Sequence, residues 1–167
     1  GVVRMRAGRI LLKDSMEILI NSSGNLGSSP AIHGLTQDQL KTGVDSETAQ
    51  ELFEQFVQNS VLVAHYAKFD RNMLTEFFAS RDQPFTQYTW LDTMDLEVVL
   101  HPNKRGISKL LKLDHLLHQY GIEATSRHTA LGDAFSTALL LQRQLSELKQ
   151  AGVYFSTSLP KQRTGLL

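Results

Sequence analysis

The sequence predicts one α/β domain in which helices cover a mixed β-sheet. Antiparallel strand patterns come first, in residues 1–20, and short apolar segments then alternate with helical ones. This order is typical of layered α/β domains. A chain of 167 residues with 41% apolar residues is long and apolar enough for one such core. We expect the domain at residues 1–150 and a C-terminal tail without clear periodicity at 151–167.

The first two strands are predicted from alternation. Val3 and Met5 alternate with Arg4 and Arg6, the pattern of a half-buried strand. A short turn at residues 7–9 leads to a second extended segment, which includes residues 10–12 and 16–20.

The rest of the chain reads as strands and helices in turn. Thr36 and Asp45 are suited to begin helices, because both side chains accept hydrogen bonds from a helix N-terminus. Strands are predicted at 61–64 and 88–91, and helices at 37–41, 46–57, 70–78, 92–100, 110–120 and 134–148.

Composition excludes several classes of function. With no cysteine, the chain has no disulfide, no zinc–thiolate site and no cysteine nucleophile. A cysteine-free chain suits a reducing compartment, so we expect a cytoplasmic protein. No apolar run approaches the roughly 18 residues that cross a bilayer, so no membrane partner is expected. The 17 basic and 17 acidic residues argue against broad binding to duplex phosphates. This balance of charge is still compatible with an enzyme that holds a strand end through metal ions.

His128 and Asp133 form the first candidate site, at the beginning of the last helical segment. Five helical residues turn the chain by about 500°, or about 140° net, so two helical side chains at this spacing would point apart. They converge only if His128 lies in the loop and Asp133 in the first turns, with Thr129 as N-cap. The alternative is a capping aspartate beside a surface histidine.

The segment from Ala64 to Asp70 is the second candidate site. It runs from a strand end to a helix start, where sites in open α/β sheets gather. Asp70 either offers a carboxylate there or serves as the N-cap of the helix, and both roles are compatible. His65 is otherwise a half-buried histidine at a strand end.

Together these segments resemble the second and third motifs of the DEDDh (DnaQ-like) 3′–5′ exonucleases. The second-motif match is Ala64-His65, Ala67 and Phe69-Asp70; the third-motif match is His128, Ala130 and Asp133-Ala134. Residues 32–36 resemble the family's Ile-His-Gly-Ile-Thr segment, and residues 91–94 and 112–116 resemble two further short blocks. The resemblance covers residues 1–148, and the proofreading subunit of bacterial DNA polymerase III belongs to this family.

The resemblance implies an RNase H-like three-layer fold and phosphodiester hydrolysis with two divalent ions, Mg²⁺ or Mn²⁺. It makes Asp70 and Asp133 metal ligands and His128 the general base. His33, Gly34, His65 and Phe69 would line the pocket of the terminal nucleotide. The chemistry of these residue types is consistent with the implied mechanism. Hard divalent ions prefer carboxylate oxygens as ligands. Histidines in general titrate near neutral pH, which suits a general base.

The sequence departs from the family pattern in two places. The family has Asn where this chain has Tyr66. Its first motif, Asp-x-Glu on a central N-terminal strand, is absent, so we expect this sequence to be an incomplete view of a longer one. The triplets 45–47 and 95–97 have the same residues but fall at predicted helix starts, where acidic side chains suit the helix dipole. We reject both as substitutes.

Other chemistry-bearing residues have weaker support. His115 and His118 are interpreted as a solvated helix face, because no third zinc ligand is in view. No nucleophile elbow accompanies the serines near His128. A basic cluster either touches phosphates or forms a solvated helix end, and it comprises Lys104, Arg105, Lys109 and Lys112.

The function predicted is therefore a metal-dependent 3′–5′ exonuclease acting on single-stranded DNA or RNA ends, with a polymerase or another domain as partner. A catalytically silent exonuclease-like binding or scaffold module is the alternative from another class. An oligoribonuclease-type RNA exonuclease is the alternative enzyme.

Overall fold

The chain begins with an antiparallel hairpin. The computed structural model describes residues 1–21, 35–80, 85, 88–123 and 128–153. In it, β1 (Val2–Arg6) pairs with β2 (Arg9–Met16), with a register shift between Val3 and Arg4. Ala7 and Gly8 join the strands with φ of 50° and 74°, as a tight two-residue hairpin turn requires. The predicted hairpin is confirmed, although the second strand is shorter than expected.

A second pair of strands is parallel. β3 (Leu62–Ala64) and β4 (Trp90–Asp92) pair with Leu62 opposite Trp90 and Ala64 opposite Asp92. Their carboxyl ends therefore meet at one edge, immediately before two helices. The described strands thus form two separate two-stranded sheets, one antiparallel and one parallel, where the sequence predicted a single mixed sheet.

Within the described ranges, six helices follow the predicted order, with shifted boundaries. They are α1 (Gln37–Lys41), α2 (Ser46–Val57), α3 (Ala67–Phe77), α4 (Thr93–Leu100), α5 (Leu113–Gln119) and α6 (Ala130–Gln150). Two short 3₁₀ segments, Pro102–Lys104 and Ser108–Leu111, connect α4 to α5. The predicted caps Thr36 and Asp45 both accept amide hydrogen bonds at the starts of their helices.

The parallel pair lies between two apolar layers. Leu62 and Trp90 face a cluster with residues of α2 and α3, in which Phe78 and Phe85 are buried. The next residues along each strand, Val63 and Leu91, face a cluster that contains residues of α4 and α6 and Met5 of β1. Because alternate strand residues point to opposite faces, this division produces three layers. The predicted α/β class is confirmed.

A third apolar cluster joins α5 to α6. Leu116 and Leu140 are fully buried in it, and Leu117 is nearly so. In the described part of the chain, no helix is both long and apolar enough to cross a membrane. The helix α6 ends at Gln150, and residues 154–167 lie outside the described ranges, so the division into a domain and a tail stays a prediction.

Candidate functional site

The start of α6 joins His128 to Asp133. His128 precedes the helix in the left-handed region, with φ of 68°. Thr129 is the N-cap, and its hydroxyl accepts the Gly132 amide at 3.1 Å. Asp133 lies in the first turn, where its Oδ1 accepts the His128 amide at 3.2 Å. The predicted arrangement of a loop histidine beside a helix aspartate is therefore present, with the Asp133 carboxylate helping to hold the loop.

His65 lies at the carboxyl end of β3 and is held by the neighbouring helix. Its Nδ1 lies 2.8 Å from the Thr93 hydroxyl oxygen. Thr93 is fully buried at the start of α4, and its hydroxyl also reaches the Ala64 carbonyl at 3.4 Å. The half-buried position expected for His65 is present, and the imidazole is tied to a residue that the packing holds in place.

Asp70 lies inside α3 and does not cap it. The helix begins at Ala67, and its N-cap position is Tyr66, which has no side-chain capping bond. The interpretation of Asp70 as an N-cap is therefore wrong. The carboxylate that serves this helix start comes from β4, so the cap could not be read from the local sequence.

Asp92 connects the starts of two helices. Its Oδ1 accepts the Tyr66 amide at 3.0 Å, and its Oδ2 accepts the Ala67 amide at 2.7 Å. Its Oδ1 also accepts the Met94 amide at 2.9 Å, which caps α4. Sequence reasoning noted the block around Asp92 but gave this residue no role. The available signal was an aspartate between a strand and a helix, a position suited to capping.

The surroundings of Asp70 disfavour its charged form. Burial raises the pKa of the Asp70 carboxyl above its ordinary value, and the nearby Asp92 carboxylate raises it further. A backbone hydrogen bond opposes these effects without cancelling them. A partly desolvated carboxylate beside another one is an environment that a bound cation would stabilise.

The start of β1 borders both candidate segments. Gly1 lies so close to the backbone of Ala130 and Leu131 that a β-carbon at this position would clash with them. The Gly1 nitrogen also lies near the Asp70 and Glu17 carboxylates. In addition, Glu17 Oε1 accepts the Leu131 amide at 3.4 Å. The first turn of α6, which carries Asp133, and Asp70 on α3 thus both face the beginning of this strand.

The described residues do not make up a complete metal site. Among them, no group of three or more His, Cys, Asp or Glu side chains is arranged to hold a metal ion. Asp70 and Asp133 together supply two negative charges against the four positive charges of two divalent ions. Asp92 is close to Asp70, but both of its oxygens accept backbone amides.

The predicted substrate residues fall into two groups. His33 and Gly34 lie outside the described residues. Phe69 lies on the first turn of α3 beside Asp70, with 58% of its surface exposed. The assignment of these residues to a nucleotide pocket stays a prediction.

Both rejected Asp-x-Glu triplets have other roles. Asp45 Oδ1 accepts the Thr48 amide at 2.9 Å as the cap of α2. Glu97 is fully buried in α4, where it accepts hydrogen bonds from Lys104 at 2.5 Å and from Gln144 and Tyr120 at 2.9 Å each. Each triplet is thus occupied in helix capping or core packing.

One residue of the predicted basic cluster, Lys104, is buried beside Glu97 instead of exposed. Lys104 is 8% exposed, and its ammonium pairs with Glu97 and Gln119. Neither of the two interpretations of the cluster therefore holds for Lys104. His115 and His118 are exposed on α5, as predicted for a solvated helix face.

Comparison with known proteins identifies the family. The model of the exonuclease family RNase T matches residues 1–141, which include both candidate segments. The chain belongs to this exonuclease family. The match agrees with the DnaQ-like resemblance of its motifs and with an RNase H-like layered α/β fold.

Similar proteins carry names from bacterial replication. This exonuclease domain is 33% identical over 156 residues to a DNA polymerase III subunit epsilon-like protein of Rhodobacter capsulatus, covering 92% of the chain and 21% of that protein. It is 29% identical to the DNA polymerase III PolC-type protein of Halalkalibacterium halodurans, covering 75% of the chain and 8% of that protein. It is 26% identical to the DNA polymerase III PolC-type protein of Bacillus subtilis, covering 95% of the chain and 11% of that protein. The chain thus spans about a fifth or less of the length of these relatives.

Proposed function

We propose that this protein is a metal-dependent 3′–5′ exonuclease that removes nucleotides from the ends of single-stranded DNA or RNA. The observation that carries the proposal is the pairing at the start of α6. There a loop histidine and a first-turn aspartate are joined by the 3.2 Å bond from the His128 amide to Asp133. Membership of the exonuclease family supports the same reaction class.

In this proposal His128 is the general base. Its imidazole accepts a proton from the water that attacks the phosphorus atom, and the 3′ oxygen of the next nucleotide leaves. His128 is exposed at the mouth of the helix start, so a strand end and water both have access to it. The hydrogen bond to Asp133 supports this role by holding the backbone of His128 in its left-handed conformation.

Asp70 and Asp133 are the proposed ligands of Mg²⁺ or Mn²⁺. When bound, two such ions would stabilise the attacking and leaving oxygens of the phosphodiester. The raised pKa of Asp70 supports a ligand role, because a cation would offset the unfavourable burial of its charge. The described residues provide too few carboxylates for two ions. Further ligands therefore have to come from residues outside the described ranges or from the substrate.

The proposed substrate residues surround the Asp70 segment. His65, tied to Thr93, offers a ring nitrogen or a flat surface beside β3, and Phe69 offers an exposed ring. His33 and Gly34 are proposed to contact the terminal nucleotide on the basis of the motif resemblance. The names of the relatives support a polymerase, fused or associated, as a partner of this protein.

The test is the His128→Ala substitution in the complete protein. Loss of a general base lowers the turnover number by about 100-fold or more, while binding of a single-stranded oligonucleotide changes little. His115→Ala is the matched control, because His115 is also an exposed histidine and lies on α5. Equal losses of turnover and binding in the His128 variant would instead make His128 a substrate contact.

A catalytically silent binding module is the second candidate function. It is favoured by the absence of a complete ligand group among the described residues. A complete protein that binds single strands but releases no mononucleotides in Mn²⁺ would support this module and exclude the enzyme. Parallel assays on primed DNA and on short RNA separate a proofreading-type exonuclease from an oligoribonuclease-type one.

A further inference from the structure

Two exposed aromatic residues lie close to Asp70 in sequence, at the start of α3. Tyr66 is 53% exposed and Phe69 is 58% exposed, at the N-cap and in the first turn of α3. Every other aromatic residue that the structure describes is buried or half-buried. Met73, one turn beyond Phe69, is also 53% exposed. The exposed aromatic surface of the described chain is therefore concentrated at the candidate site.

The backbone conformation of Tyr66 is unfavourable for its residue type. Tyr66 has φ of 66° and ψ of 53°, the left-handed helical region. Residues with a bulky side chain adopt it at a cost of about 1–2 kcal/mol, whereas Asn tolerates it. Asp92 holds the conformation by accepting the Tyr66 and Ala67 amides. The backbone by itself would favour Asn, the residue of the family motif, so the tyrosine ring is not explained by the fold.

The Tyr66 side chain is more exposed than buried and does not cap α3. It forms no capping hydrogen bond, and more than half of its surface is exposed. Backbone strain of this kind is found mainly where function requires it. A ring held at a helix start, beside a second ring and a proposed metal ligand, is suited to contact the substrate.

We propose that Tyr66 is a further substrate-binding residue, and that its ring forms with the exposed ring of Phe69 a stacking surface for the unpaired bases at the strand end. The inference rests on the proposed function, because it takes the single-stranded substrate from there. Stacking of a base on an aromatic ring contributes about 1–3 kcal/mol and tolerates all four bases, since each has a flat π-face. A surface of this kind suits a nuclease that shortens strands of any sequence.

The experiment measures binding without hydrolysis. Fluorescence anisotropy with EDTA present follows the binding of a labelled single-stranded DNA of about 12 nucleotides, a length within the range of site sizes of single-strand-binding folds. A second oligonucleotide has abasic residues at its last two 3′ positions. Tyr66→Asn removes the ring and suits the left-handed backbone, whereas Tyr66→Phe retains the ring. Leu12→Ala is the matched control, because Leu12 is 63% exposed on β2.

We expect Tyr66→Asn to weaken binding of the ordinary strand by about fivefold to 100-fold, the range that corresponds to one stacked base. Tyr66→Phe and Leu12→Ala should bind within about twofold of the parent protein. On the abasic strand, the parent and Tyr66→Asn should bind alike. Urea unfolding should find Tyr66→Asn at least as stable as the parent, because Asn relieves the strain.

Three results would overturn the inference. They are parent-like binding of the ordinary strand by Tyr66→Asn, equal losses on the ordinary and abasic strands, and no binding of the ordinary strand by the parent. The first would assign the exposed rings to a protein contact instead. Release of mononucleotides in Mn²⁺ is measured separately. Cleavage without a Tyr66 effect refutes the stacking surface alone, and a base-dependent Tyr66 effect without cleavage refutes the hydrolytic function alone.

Discussion

Asp92 has the most extensive set of backbone contacts among the carboxylates beside the candidate site. It accepts three amide hydrogen bonds, from Tyr66, Ala67 and Met94. Through the first two it holds the start of the helix that carries Asp70, and through the third it begins α4. Asp92 is therefore a positioning carboxylate, whereas Asp70 is proposed to bind metal. The two carboxylates are close enough to interact electrostatically.

Replacing Asp92 should destabilise the protein. Asp92→Ala removes a charged cap that serves two helices, so we expect the free energy of unfolding to fall by about 2 kcal/mol or more. Asp92→Asn retains one acceptor oxygen and should lie between this variant and the parent. Urea unfolding followed by circular dichroism provides the measurement. The control is Asp38→Ala, since Asp38 is 90% exposed in its pair with Lys41 and should change stability little. Parent-like stability of Asp92→Ala would show that the three bonds contribute nothing net.

The charged Asp70 carboxylate should lower the stability of the folded protein at pH 7. Its pKa is raised, mainly by burial and further by Asp92, so the charged form is less favourable in the folded chain than in the unfolded one. Asp70→Asn should therefore raise the urea midpoint at pH 7, and the difference should disappear as the pH falls to values where the Asp70 carboxyl is protonated in both states. The same substitution should abolish the proposed cleavage. A lower midpoint at pH 7 would contradict this account of the carboxylate.

At the scale of elements, α4, α5 and α6 are joined by a buried polar network. Glu97 lies at its centre and binds Lys104, Tyr120 and Gln144. The Tyr120 hydroxyl oxygen also lies 2.8 Å from Glu147 Oε2 on α6, so its single proton can be donated to either carboxylate. Because Gln144 also donates to the Thr93 carbonyl at 2.9 Å, the network reaches the residue that holds His65. The packing of α6 and the position of His65 are thus linked through one set of hydrogen bonds.

This network predicts a loss of stability in acid. Burial acts to raise the pKa of Glu97, but the hydrogen bonds from Lys104, Gln144 and Tyr120 outweigh it and hold the pKa below its ordinary value of 4.5. A carboxyl with a lowered folded-state pKa stabilises fully above the unfolded-state pKa. The contribution disappears as the pH falls through the folded-state value. The free energy of unfolding of the parent should therefore decline below about pH 4.5.

The matched comparison isolates the contribution of Glu97. Glu97→Gln leaves Lys104 buried without its counter-charge, so this variant should be about 3–5 kcal/mol less stable at pH 7. It should also lose less stability than the parent between pH 5 and pH 3. Glu76→Gln alters an exposed glutamate of α3 and should follow the parent at every pH. Identical pH profiles for Glu97→Gln and the parent would exclude Glu97 as the titrating group.

At the scale of the whole molecule, the layers bring separate segments to one edge. The helix α3 follows β3, α4 follows β4, and the start of α6 is packed against the beginning of β1. Asp70, His65 and the His128–Asp133 pair therefore lie at helix starts or strand ends, which is where α/β sheets position sites. The two carboxylates proposed as ligands come from helices that are about 60 residues apart in sequence.

Metal binding by the 167-residue chain tests whether it contains a complete set of metal ligands. With Asp70 and Asp133 as the proposed ligands and no larger ligand group among the described residues, we expect weak binding of Mn²⁺. Isothermal titration calorimetry should show no pair of tight sites, and Asp133→Asn should weaken the remaining binding further. Two tight Mn²⁺ ions per chain would contradict this expectation and would indicate ligands outside the described residues.

Local patterns in the sequence determined the fold class, the order of the elements and the positions of His128 and Asp133. These depend on alternation, helical periodicity and capping side chains, all of which act within a few residues. The sequence motifs also indicate the exonuclease family to which the chain belongs.

Tertiary structure decided what depends on distant partners. The helix α3 begins at Ala67 because a carboxylate from β4, 25 residues later, accepts its first amide. Lys104 is buried and does not belong to the predicted basic surface cluster, because Glu97 and Gln119 provide a buried site for its charge. The strain at Tyr66 is likewise maintained from β4. Such contacts join residues that are far apart in the chain, and their energies depend on burial, so they become apparent only in the folded structure.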